Sequence, residues 1–240
     1  MNENWKFKRQ LLWLTVFAIA MAYMESAVVV YLREIFYPEG FRFPLHPVTG
    51  PIAVTEVIRE AATIIMLISL GYIAGKNFHS RFAWFIYAFA IWDIFYYVFL
   101  KLLLNWPSSF LSWDILFLIP VMWVGPVLCP VILSLTMILF AMLILQFENK
   151  GIKTKIRLME WLLFIGGSLV VIISFTLDYA VFILHQFTLY EIWAMAGSDR
   201  FYKLAMQYLP VHFNWWIFLV GEGIILTGIA CFNKRNIKIQ

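Results

Sequence analysis

Apolar residues run through this chain in long, nearly unbroken stretches, without the strict two-residue alternation of an amphipathic strand. The first covers 11–32 and is interrupted only by Glu25 and Ser26. At ~1.5 Å per residue it is long enough to cross a ~30 Å hydrocarbon core. Comparable stretches follow at about 53–74, 82–104, 130–147, 159–184 and 214–232. The apolar run over 114–147 is too long for one simple crossing, and Pro120, Gly125, Pro126 and Pro130 break its first half. We read 114–129 as a broken or re-entrant segment ahead of the fourth span, with one long kinked helix as the alternative. The pattern predicts an all-α polytopic membrane protein. It is a six-transmembrane-helix bundle that forms a single integral membrane domain over 1–240.

Composition narrows the class further. Of the 240 residues, 63% are apolar and 13% charged, against about a quarter charged in ordinary soluble domains. A soluble enzyme, a disordered chain, a collagen and a nucleic-acid-binding module are excluded. The net charge of +4 does not revive a nucleic-acid partner, because the basic residues cluster beside apolar runs. Lys6, Lys8 and Arg9 precede the first run, and Ala18-Ile19-Ala20 resembles a signal-peptide cleavage site. The run continues to Leu32, so an uncleaved first helix is expected. Cys129 and Cys231 lie near opposite ends of different spans and are not expected to pair.

Lysine and arginine set the expected orientation. The N-terminal segment, the 75–81 turn, the 148–158 loop and the C-terminal tail hold twelve of the eighteen basic residues. Six crossings put all four on one side, which predicts cytoplasmic termini in a plasma membrane. The opposite loops are longer and aromatic. In 186–213, Ser198 can cap a helix in which Phe201, Leu204, Ala205, Tyr208 and Leu209 share one face. That pattern predicts a helix on the outer surface. Internal repetition is limited to Trp92-Asp93-Ile94 and Trp113-Asp114-Ile115.

The candidate chemistry lies in charges that are costly inside a bilayer, at roughly 2.5–3.5 kcal/mol each on insertion scales. Asp93 is central in its span, with Tyr97 and Lys101 at i+4 and i+8. Glu222 lies between Gly221 and Gly223, roughly 12 Å below the start of its span. Glu25 falls in the outer half of the first span. Glu56, Arg59 and Glu60 share a face of the second. Glu56 suits the start of a helix, but 61–75 supplies only about 22 Å of helix, which puts Arg59 and Glu60 below the outer surface. We expect Glu25, Arg59, Glu60, Asp93, Lys101 and Glu222 to meet in one outward-opening polar cavity. With Glu56 included, acids outnumber bases there. Each acid also has a structural reading, as ion-pair partner or hydrogen-bonding link between helices. Asp114 and Asp178 read as interfacial helix-end residues.

His185 and His212 are weak candidates for a metal at the cavity mouth, with His46 nearby; His79 falls on the cytoplasmic turn. No HExxH, Walker loop, GxSxG or CxxC is present. The cofactor is not specified by any motif. Three functions fit. The first is binding or transport of a proton, cation or small polar solute. The second is membrane-embedded enzymatic action, with or without a metal, on a lipid or lipid-linked substrate from the outer leaflet. The third is a structural role beside partners in a membrane complex. An outer vestibule without a polar route inward would weaken transport.

Overall fold

A computed structural model describes residues 3–46, 51–118, 121–188 and 207–238. Six helices within them are long and apolar enough to cross a membrane. They are α1 (Glu3–Phe36), α2 (Pro51–Ala74), α3 (Phe78–Leu104), α4 (Leu128–Asn149), α5 (Leu158–Leu184) and α6 (Trp215–Ile237). Each expected span lies within its helix or misses it by a single residue at one end. The largest extension is at α1, whose helix hydrogen bonds continue through the polar turns on both sides of its apolar stretch. Glu25 and Ser26 do not break it. The Ser26 hydroxyl donates to the Ala22 carbonyl at 2.8 Å and also lies 3.1 Å from the Tyr96 carbonyl of α3.

The segment 114–129 is broken, and its form is a hairpin. β1 (Trp113–Phe117) pairs antiparallel with β2 (Trp123–Pro126), with Asp114 opposite Gly125 and Ile115 opposite Val124. A single long kinked helix over 114–147 is therefore ruled out. Gly125 has a steric reason: a Cβ there would sit 2.8 Å from the Phe175 ring of α5. Of the surface helix expected over 198–209, positions 198–206 lie outside the described residues. Tyr208 is buried and its hydroxyl donates to Asp178 at 2.6 Å.

One end of the bundle gathers the basic turns. Gln10 donates to the Ala74 carbonyl at 2.7 Å, and Asn77 donates to Glu148 at 3.0 Å. Arg235 forks onto both oxygens of Glu160, at 3.0 and 2.8 Å. Asn77 and Ser80 form a capping box that starts α3. The hairpin stands at the opposite end.

α3 is the hub. α1, α2 and α4 all pack along it, while α1 and α2 make little contact with each other. α5 and α6 form a tight pair, joined to the rest through α4 and β2. Their closeness depends on Gly167 and Gly221, each of whose added Cβ would meet the other's carbonyl oxygen, at 2.8 and 2.9 Å. Near the ends of α1 and α6 the bundle is filled by an apolar cluster that includes Leu14, Trp84, Phe140, Ile144, Phe164 and Phe232.

Gly221→Ala should lower stability by about 1–3 kcal/mol through overpacking. Gly223→Ala, where an added Cβ has no neighbour within 4 Å, should be neutral or stabilising by up to about 1 kcal/mol. Thermal unfolding of both variants in detergent checks the contrast; equal destabilisation would contradict the crossing.

Candidate functional site

Between α1, α2, α3, α4 and the hairpin lies a cavity of about 470 Å³. Its lining begins at Tyr37, Phe41, Leu45 and His46 of the α1–α2 connection and reaches inward to Glu25, Thr63, Phe89 and Met137. No buried residue of the apolar cluster at the other end lines it. The cavity therefore occupies only the half of the bundle nearer the hairpin.

Five carboxyls and two guanidiniums face it: Glu25, Glu56, Glu60, Asp93 and Asp114, with Arg33 and Arg59. Full ionisation would give a formal charge of minus three. The helical repeat places Glu56 and Arg59 one turn apart on α2. The Arg59 Nε donates to Glu56 at 2.8 Å, and a second nitrogen completes the fork. The remaining terminal nitrogen crosses to Glu25 of α1. Thr63 donates to the other Glu25 oxygen at 3.2 Å. One arginine thus spans the gap between two helices that otherwise hardly touch.

Glu60 and Asp93 differ from this trio. Glu60 accepts the Leu118 backbone N–H, at 3.1 and 3.2 Å to its two oxygens, and so pins the end of β1 to α2. Asp93 accepts the Ser134 hydroxyl of α4 at 2.8 Å. Among the described residues, neither has a cation within ion-pair distance.

At the rim, Asp114 of β1 accepts the Tyr97 hydroxyl at 3.1 Å and lies 3.8 Å from Arg33. The Arg33 guanidinium also lies against the rings of Trp106 and Phe41, at 3.9 and 4.5 Å from their centroids. Burial raises the Asp114 carboxyl, and Arg33, the Tyr97 hydroxyl and the Ile115 backbone N–H offset part of the rise, which leaves it at about 6.

The structure brings Glu25, Arg59, Glu60 and Asp93 to one cavity, and it removes two residues from the expected set. Lys101 is exposed and donates to the Asn105 and Pro107 carbonyls, at 3.4 and 3.0 Å. Eight residues advance a helix by about 80° beyond two full turns, so Lys101 rotates off the Asp93 stripe. Glu222 is buried against α4, where it accepts the Thr136 hydroxyl. Thr136 lies about 200° around α4 from Ser134, so α4 stands between Glu222 and the cavity.

His185 and His212 are exposed and do not line the cavity. Among the described residues, no three His, Cys, Asp or Glu side chains group as metal ligands. Sequence reasoning missed Arg33, which falls just beyond the end of the apolar stretch, and misread Asp114 as a helix-end residue. One signal was available. Both aspartates of the repeated Trp-Asp-Ile triplet, Asp93 and Asp114, reach this cavity.

Comparison with known proteins finds no matching family model, no similar curated protein and no similar solved structure.

Two tests probe the geometry. Arg59→Met leaves Glu25 and Glu56 without their cation and should cost about 3–5 kcal/mol. Adding Glu25→Gln to that variant should restore part of the loss in thermal unfolding. For Asp114, the folded chain holds a proton between its ordinary value of 3.8 and about 6, where the unfolded chain has released it. Its stabilising share is therefore complete below about pH 4 and is lost as pH rises through about 6. Asp114→Asn should flatten that slope in melting curves across pH 4–7; an unchanged slope would contradict the assignment.

Proposed function

We propose that this protein binds a cation or the positively charged end of a small polar solute in the acidic cavity beside the hairpin. The observation that supports this is that Glu60 and Asp93 both line the cavity without an ion-pair partner among the described residues. Two carboxyls face one cavity, and their described partners are neutral donors. In low dielectric such groups favour a counter-charge, supplied by a bound cation or a proton. Arg59 gives its hydrogen bonds to Glu56 and Glu25, so it reaches Glu60 only through space and leaves Glu60 and Asp93 without an ion-pair contact among the described residues.

Binding has more support than translocation. A path to the far side would run through the packed cluster around Leu14, Trp84 and Phe140, so transport requires a second arrangement of the helices. A lipid-directed enzyme is the second reading, favoured by the loose contact between α1 and α2. Glu60 or Asp93 would then exchange protons with the substrate. We place the chain in the plasma membrane. The basic clusters at the ends of α1 and α6 support cytoplasmic termini, so the cavity opens toward the outer face.

Purified wild type, Asp93→Asn and Glu222→Gln can be compared by mass spectrometric analysis of co-purifying small molecules and metals. Wild type and Glu222→Gln should retain the same ligand, and Asp93→Asn should lose it tenfold or more. Equal retention in all three would overturn the proposal. Conversion of a retained lipid to product on incubation would favour the enzyme.

A further inference from the structure

Resting on the binding reading above, we propose that the ligand is a lipid-phase amphiphile with a protonated amine head, admitted between α1 and α2. Its head would meet Asp93 and Glu60, and its chain would leave through the gap.

The volume supports an occupant larger than a bare ion. At about 470 Å³ the cavity has room for roughly fifteen water-sized groups. It lies in the size range of sites that enclose organic molecules. The walls are mixed in a way that suits neither a hydrated ion nor a pure hydrocarbon. Phe89, Trp92, Phe117 and Trp123 line it alongside the carboxyls. Aromatic faces with nearby anions favour an organic ammonium group, which has both charge and apolar surface. Two indole N–H groups in these walls, Trp92 Nε1 and Trp123 Nε1, are buried without a partner among the described residues, and Trp92 is only 7% exposed. A hydroxyl or ester oxygen beside the amine would give them an acceptor.

The route follows from the packing. α1 and α2 both lean on α3 and make little backbone contact with each other, and the cavity lining includes residues of both, so we take the seam between them as the slot. The slot is floored by the Arg59–Glu25 pair and lined above it by Val29, Leu32, Ala53 and Val57. Val57 both lines the cavity and is 42% exposed, so it is the thinnest part of this wall and the place we assign to entry. The outer surfaces of both helices there, at Tyr31, Ile35, Val54 and Ile58, are apolar and exposed. An acyl chain can lie against them with its head inside. A phosphate head suits the site less well, since it would face surplus carboxylates.

The test uses the full chain in phosphatidylcholine nanodiscs with a tetradecylamine that carries a photoreactive diazirine on its chain. Crosslinks should map to the facing sides of α1 and α2 at 29–36 and 53–58. Asp93→Asn and Glu60→Gln should each cut labelling tenfold or more. Val57→Trp, at an exposed position that leaves the core intact, should cut it by filling the slot, with unfolding temperature as the check on folding. Unlabelled tetradecylamine should compete, while tetradecanol and butylamine should compete at least tenfold less well. Butylamine competing equally would overturn the amphiphile and leave the cation site standing. Tetradecanol competing equally would overturn the requirement for charge. Labelling unchanged by Asp93→Asn and Glu60→Gln would overturn both the amphiphile and the cation site.

Discussion

Arg59 carries a permanent charge on a helix that must pass through hydrocarbon, and that charge has to be met by protein. Its three carboxylate contacts reach back one turn on α2 and across to α1. Without them α1 and α2 would be tied only by the Thr63 hydrogen bond to Glu25 and by their common partner α3. The ion pair thus ties together two helices that make little backbone contact of their own. The same contacts take up the guanidinium's hydrogen bonds, so Glu60 and Asp93 face the cavity with no cation in direct contact among the described residues. Structure and chemistry at this site come from one satisfied arginine.

The hairpin plays the complementary part. A short two-stranded sheet beside a bilayer needs its polar backbone groups covered. Helix side chains supply some of the cover. Glu60 accepts from the Leu118 N–H, while Asp114 reaches back to Tyr97 and Arg33. These ties bring strand residues onto α1, α2 and α3 together, so the cavity has a roof made of a different element from its walls. α5 and α6 support the assembly from behind. Their glycine crossing brings them close, and Phe175 of α5 presses against Gly125 of β2.

The contrast between Asp93 and Glu222 shows how little a residue's depth reveals. Both are acids well inside their helices, and both accept a hydroxyl from α4. Asp93 accepts from Ser134, on the cavity side. Glu222 accepts from Thr136, on the side packed against α6. Two positions along α4 separate a carboxyl that lines the cavity from one buried between helices, whose second oxygen has no partner among the described residues.

The sequence by itself determined the six apolar helices and their order, though not how far α1 and α6 continue past their apolar stretches, because hydrocarbon thickness and helical rise act on each segment alone. It also marked 114–129 as irregular, since proline and glycine break helices locally. The costly charges at Glu25, Arg59, Glu60 and Asp93 were legible for the same reason: each is conspicuous within its own apolar run. Which of them meet was decided only by the tertiary structure. Lys101 and Glu222 fell away, and Arg33 and Asp114 joined, through helix rotation, the glycine-set closeness of α5 and α6, and a hairpin register that no single-segment period encodes. Contacts between helices depend on two surfaces at once, and a run of apolar residues records only one of them.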